Sequence, residues 1–311
     1  MTQTGITFLG TGAAWGVPEI NCDCLICREM RKRGEKRERT SILLSGKTTL
    51  LIDCGPDIRA QLSRNSIKKI DGVLITHEHG DHYMGLDELF VYKRNCPKDV
   101  YRPIPVHVTA KSWEVIGLRF AYLEKMGVIE VKKIETNRWF TQGDFEVFPF
   151  KTDHGSFSKG SVGFAVKCRR ELGREVLLVY TSDFIDLPEV PLELIKPDYL
   201  IIQSFWLNEP VNNRPHHMSF QRAIHFIEHL KPKKETFLVH IGDADMVAGD
   251  PANTYSKKYE PKDPLRPLAG ENPYPVPLNQ KEWQETVDQI MLDRGLSYKV
   301  TVAHDDLYIR I

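Results

Sequence analysis

The feature that most limits what this chain can fold into is a seven-residue run, Thr76-His77-Glu78-His79-Gly80-Asp81-His82, directly after the apolar triplet Val73-Leu74-Ile75. The triplet predicts a buried strand, so three imidazoles and two carboxylates are gathered where a strand ends. Imidazole nitrogen and carboxylate oxygen are the donors that zinc-like and manganese-like cations take, and a loop leaving a rigid strand can aim several at one point. A solvated polar turn has no need of this density of His and Asp in the order His-x-His-x-Asp-His. One such loop cannot fill two metal shells, so further donors are expected at other strand ends.

Later segments supply them. His154 follows a predicted strand at 145–150, Asp183 follows one at 176–180, and His240 closes one at 236–240. Each alone reads as an ordinary surface or hydrogen-bonded residue. Their recurrence at strand ends makes them ligand candidates.

Around these positions hydrophobic periodicity predicts strands at 5–9, 40–44, 48–52, 72–75, 104–108, 161–167, 199–202, 298–303 and 307–311. Residues 45–47, Ser-Gly-Lys, read as a hairpin turn. Helices are predicted at 56–62, 86–93, 112–125, 220–230 and 281–292, with Val115, Leu118, Ala121 and Tyr122 as the apolar face of the third. Hairpins mixed with strand–helix units suggest sheets covered by helices in one domain over 1–311, with no solenoid-like repeat. Residues 246–279 break the pattern with seven prolines from Pro251 to Pro277 and read as an insertion or lid beside the cleft, outside the core.

The bulk properties narrow the classes. Lys+Arg and Asp+Glu are equal at 42 each, so no global field draws the 311-residue chain to nucleic acid or an anionic membrane. An anionic substrate must be held locally. The first residues lack a basic flank and a long apolar stretch, and no run of about 18 apolar residues follows, so a cytoplasmic chain off the membrane is expected. Of six cysteines, Cys22, Cys24 and Cys27 cluster in the loop 21–28. That spacing suits thiolates on a metal better than a disulfide framework, with free buried thiols as the alternative. Seven basic residues between Arg28 and Arg39 read as a solvated face or a contact for a phosphate-rich partner, which leaves nucleic acid open.

With these residues in place, the chain resembles the metallo-β-lactamase superfamily. The motifs run in the family's order: Asp53 in Leu-Ile-Asp-Cys-Gly, His77/His79/Asp81/His82, His154 in Thr-Asp-His-Gly, Asp183 in Thr-Ser-Asp-Phe, and His240 in Val-His-Ile-Gly-Asp. The resemblance implies an αββα sandwich of two mixed sheets flanked by helices. It implies one cation on His77, His79 and His154, another on Asp81, His82 and His240, and Asp183 bridging, with Asp53 as support. The segment Gly10-Thr-Gly12 to Pro18, followed by the cysteine cluster, is similar to the branch holding the phosphoribosyl cyclic phosphate phosphodiesterase of the carbon-phosphorus lyase pathway. In that branch three cysteines and a later histidine hold a structural zinc. Here the matching position is Asp243, so the fourth ligand is Asp243, water or His304.

The resemblance further implies a metal-dependent phosphodiesterase with two zinc or manganese ions, acting on a small, in the nearest branch cyclic, phosphodiester through a hydroxide held between the cations. Asp81 would orient that chemistry, and His217, just before the helix at 220–230, would protonate the leaving group. A tRNA 3′-processing nuclease and a non-hydrolytic metal protein of cofactor biosynthesis are the alternatives. A homodimer is compatible with this reading.

Overall fold

The computed structural model describes residues 4–169, 175–268 and 270–311. The first half runs β1 (Gly5–Gly10), α1 (Leu25–Arg33), β2 (Ser41–Ser45), β3 (Thr49–Ile52), α2 (Ile58–Arg64), β4 (Gly72–Leu74), α3 (Gly80–Tyr83), α4 (Phe90–Arg94), β5 (Ile104–Thr109), α5 (Ala110–Lys125) and β6 (Ile129–Ile134). The second runs β7 (Phe140–Gln142), β8 (Phe145–Lys151), β9 (Val162–Arg169), β10 (Glu175–Tyr180), β11 (Tyr199–Gln203), α6 (Phe220–Leu230), β12 (Glu235–Val239), α7 (Gln280–Asp293), β13 (Val300–Val302) and β14 (Leu307–Arg310). They form two mixed sheets, β14-β1-β2-β3-β4-β5-β6 and β13-β12-β11-β10-β9-β8-β7.

Strand alternation decides the layering, because neighbouring side chains point to opposite faces. Ile42, Leu44, Leu50 and Ile52 turn inward and meet Phe164, Leu178, Tyr180, Ile201, Phe237 and Val239 of the other sheet. Their neighbours Leu43 and Leu51 turn outward onto Ile58, Ile116, Phe120 and Leu123 of α2 and α5. On the opposite side Val179, Leu200, Ile202 and Leu238 pack under Ala223, Ile224 and Ile227 of α6 and Trp283, Val287 and Ile290 of α7. The result is helix, sheet, sheet, helix, with apolar strands sandwiched between two cores. No helix among the described residues is long and apolar enough to cross a membrane.

Three expectations are corrected. In α5 the buried stripe is Ser112, Ile116, Phe120 and Leu123, whereas Val115, Leu118 and Tyr122 are exposed. Both sets have helical spacing, and packing against the sheet selects between them. The strands β6 and β7 lie where no strand is predicted. Lys132, Lys133 and Glu130 make β6 polar, which suits an edge strand. The insertion 246–279 is not outside the core: Leu265 and Tyr274 are buried among the α6 and α7 side chains, and Ala252 and Val247 pack on the cysteine cluster.

Candidate metal centre

The site lies where β3, β4, β8, β10, β11 and β12 end, and their carboxyl-terminal loops carry its side chains. Asp53, Ser182 and His240 all have positive φ, at 62°, 58° and 58°. Left-handed backbone is uncommon away from glycine, so three such residues at strand ends of one site show the chain bent there to aim side chains.

The first donor set comprises His77, His79 and His154, and one nitrogen from each falls within 4.8 Å of the others. His154 Nε2 and His79 Nδ1 are 3.1 Å apart. The second set comprises Asp81, His82, Asp183 and His240. Asp183 Oδ2 lies 3.1 Å from His240 Nε2, 3.4 Å from His82 Nε2 and 3.9 Å from His154 Nε2, so one carboxylate oxygen joins the two sets. All seven residues with a ligand assignment in the family resemblance are thus brought together.

The hydrogen bonds show that these groups suit a cation. His82 Nδ1 donates to Asp53 Oδ2 at 2.7 Å. Thr76 Oγ1 gives its proton to the same carboxylate at 3.0 Å, and so accepts from His77 Nδ1, also at 3.0 Å. His154 Nδ1 donates to the His216 carbonyl at 3.0 Å. Each ring spends its Nδ1 proton away from the centre and turns the Nε2 lone pair toward it. His77 Nε2, His82 Nε2, His240 Nε2 and Asp183 Oδ1 are buried without a hydrogen-bond partner. Buried polar atoms are rarely left so, and unpartnered acceptors on residues gathered in these two donor sets fit divalent cations such as zinc or manganese.

Charge agrees with that fit. Burial, reinforced by His82 and His154, holds the His77 pKa well below the usual histidine range, and burial brings His154 down to about 4. Burial opposes ionisation of Asp81 and Asp183, but His82 and His240 outweigh it and keep both carboxyls well below the usual range. His82 is the exception: Asp81, Asp53 and Asp183 overcome burial and raise it well above the ordinary value. Proton and cation therefore compete at its Nε2.

His217 is buried beside this centre, with Nδ1 3.7 Å from Asp183 Oδ2. Ser219 caps α6, its Oγ accepting from Arg222 N at 3.1 Å, which sets His217 just outside the helix. Beside His154 a cavity of about 580 Å³ is lined by Lys111, Lys151, Lys159, Thr109 and Ser158 among others. A larger cavity of about 1500 Å³, around Arg59 and Tyr101, touches none of the donors.

The cysteine cluster is separate. Asp243 Oδ2 lies 2.9 Å from Cys27 Sγ, 3.5 Å from Cys24 Sγ and 3.9 Å from Cys22 Sγ, all four residues being buried. Glu19 N, Cys24 N and Cys27 N donate to the sulfurs at 3.3–3.5 Å, as suits thiolates on a cation. The hydrogen bond between the two thiols pulls the Cys24 pKa down and pushes that of Cys27 up. His304 is exposed and bonded to the Asp305 carbonyl, so of the two it is Asp243 whose carboxylate lies among the cysteines. Lys257, from the insertion, donates to Asp243 Oδ2 and to Glu19 Oε2, and Lys258 to the Asp243 and Asp245 carbonyls. The insertion is thereby stitched to the cysteine cluster. It also reaches the flank of the main site: the Tyr259 ring packs on Trp206 at 5.4 Å, Val211 N donates to the Glu260 carbonyl and Lys262 N to the Glu209 carbonyl, both at 2.8 Å.

Sequence reasoning missed Thr76, Gln203 and Phe205. Thr76 had a signal, standing between strand and first histidine. Gln203 ends β11 as the donors end their own strands, but a neutral amide is a poor ligand for a zinc-like cation, so its position carries no metal signal in the sequence.

A family profile described as the Beta-lactamase superfamily domain matches residues 48–241, a span that contains all seven donors of the main site. The octanoyltransferase of Porphyromonas gingivalis is 28% identical over 242 residues, 75% of this chain and 45% of that protein. The ribonuclease Z of Clostridium tetani is 31% identical over 134 residues, 41% of this chain and 37% of its own. The chain spans less than half the length of either relative. A solved structure of a diphosphatase from the PhnP family superposes with a TM-score of 0.70 and 24% identity, over 99% of this chain and 98% of that one, a likeness of fold. By the matched span, and by the donors it contains, the chain belongs to the metallo-β-lactamase superfamily.

Proposed function

We propose that this protein is a dinuclear metal-dependent phosphodiesterase acting on a small phosphodiester in the cytoplasm. The observation that carries the reading is the position of Asp183 Oδ2 within 3.9 Å of nitrogens from both donor sets, beside a histidine that belongs to neither. His77, His79 and His154 would hold one zinc or manganese ion, Asp81, His82 and His240 the other, and Asp183 both. Bound there, the pair supplies Lewis acidity toward a phosphoryl oxygen and an acidified water.

The chain's own residues supply the rest. Asp81 and Asp183, ionised at neutral pH, set the charge of the centre and orient its occupants. His217 donates to the departing oxygen. Lys111, Lys151 and Lys159 give the cavity beside His154 the local positive charge that a balanced chain lacks overall, which favours an anionic substrate. Support for phosphodiester chemistry also comes from the ribonuclease Z relative. The cysteines and Asp243 would hold a structural zinc.

The test is hydrolysis by protein loaded with zinc or manganese of bis-p-nitrophenyl phosphate, a small cyclic phosphodiester and a precursor tRNA. Preference for the cyclic diester supports the proposal. Preference for the tRNA would replace it with a nuclease, and no turnover of any of them would point to a non-hydrolytic metal protein.

A further inference from the structure

Gln203, fully buried at the end of β11, is held in one orientation. Its Oε1 accepts from the backbone N–H of Phe184 at 3.0 Å and of Met218 at 3.1 Å. Turning the amide over would set its NH2 group against two N–H donors, so the orientation is fixed. The atom 2.7 Å from His217 Nδ1 is therefore Nε2, which can only donate. Nδ1 must receive that bond with its lone pair, and the ring proton of a neutral His217 must sit on Nε2.

This is the reverse of the neighbouring rings. In their ligand form His77, His82 and His154 hold their protons on Nδ1 and turn Nε2 lone pairs to the centre. His217 lies close enough to His154 and Asp183 to count among ligand candidates by distance. Its wiring decides otherwise, since Nδ1 is engaged by Gln203 and Nε2 carries a proton. The ring is held in place by Phe205, stacked at 4.6 Å and 14°, and its backbone by Asn213, which accepts from His217 N at 3.1 Å and donates to His217 O at 2.7 Å.

We propose that Gln203 is a positioning residue that fixes His217 as an Nε2–H donor, keeping it out of the metal shell and presenting that proton to a substrate oxygen. What the donor meets rests on the phosphodiesterase reading; the proton's position does not. A glutamate at 203 would keep the two backbone bonds with one oxygen and turn the other, an acceptor, toward Nδ1.

The experiment is long-range proton–nitrogen NMR on zinc-loaded protein labelled with 15N-histidine, with His217 assigned by the signal lost in His217→Asn. The wild type should carry the His217 proton on Nε2, and Gln203→Glu should place one on Nδ1 with zinc content retained. A wild-type proton on Nδ1, or a Gln203→Glu spectrum like that of the wild type, would overturn the proposal. The wild-type measurement stands even if the variant does not fold. The same variant should lose about tenfold or more in kcat on an alkyl phosphodiester; full activity there would remove the role toward substrate. Absence of hydrolysis by the wild type would defeat the phosphodiesterase reading and leave the NMR result to decide this one.

Discussion

Asp53 Oδ2 and His82 Nδ1 share a 2.7 Å hydrogen bond in which both side chains are withdrawn from solvent. The same carboxylate accepts from Thr76 N at 2.9 Å and Thr76 Oγ1 at 3.0 Å, so one residue orients the strand end and two candidate ligand rings. Partners of this kind typically account for about 10- to 100-fold in metal affinity. Asp53→Ala should weaken metal binding by that order, read by competition with a chromogenic chelator. Unchanged affinity would mean that the rings are oriented without it.

Metal retention should fall as the solution is acidified. The ligand form of His82 lacks a proton on Nε2, while Asp81, Asp53 and Asp183 raise its pKa well above the ordinary value against the effect of burial. Lowering the pH therefore favours the proton over the cation, and raising it favours the cation. Metal analysis after dialysis at a series of pH values checks the sign. Retention that rises toward acid would contradict the assignment.

The cysteine cluster should contribute stability and no chemistry. Cys27→Ser removes the sulfur 2.9 Å from Asp243 Oδ2 and should lower the melting temperature while costing one metal per chain. Because Lys257 and Lys258 tie the insertion to Asp243, proteolysis within 246–279 should become faster in the same variant. An unaltered melting temperature would remove the structural-metal role.

His217→Ala should lose about a hundredfold or more on a diester with a basic alkoxide leaving group, in line with typical general-acid contributions. The loss should be smaller on a nitrophenyl ester, whose leaving group departs without a proton. Metal content should stay the same. Equal losses on both esters would assign His217 to substrate positioning.

Phe237→Ala should cost about 3–5 kcal/mol in equilibrium unfolding, the usual range for an aromatic truncated in a packed core. Phe237 is fully buried between the sheets, its ring 5.0 Å from that of Phe8 and 6.3 Å from that of Tyr199. A much smaller cost would mean that the two sheets close over the gap.

The donors of the main site were legible in the sequence because each closes an apolar strand, and strand ends are marked locally by a change from apolar to polar residues. His77, His79, Asp81 and His82 even fall within one short run of the sequence. What periodicity alone could not decide was which of two equally spaced stripes α5 would bury, since the choice depends on the sheet it lands on. Tertiary structure also decided that the proline-rich insertion lies on the cysteine cluster, because seven prolines keep it from forming long helices or strands without saying what the chain packs against. Asp243 meets Cys22 across 221 positions, and Gln203 meets His217 across 14. In both pairs the partner matters through one directed atom, and direction is set only when strands, caps and backbone hydrogen bonds have fixed the side chain.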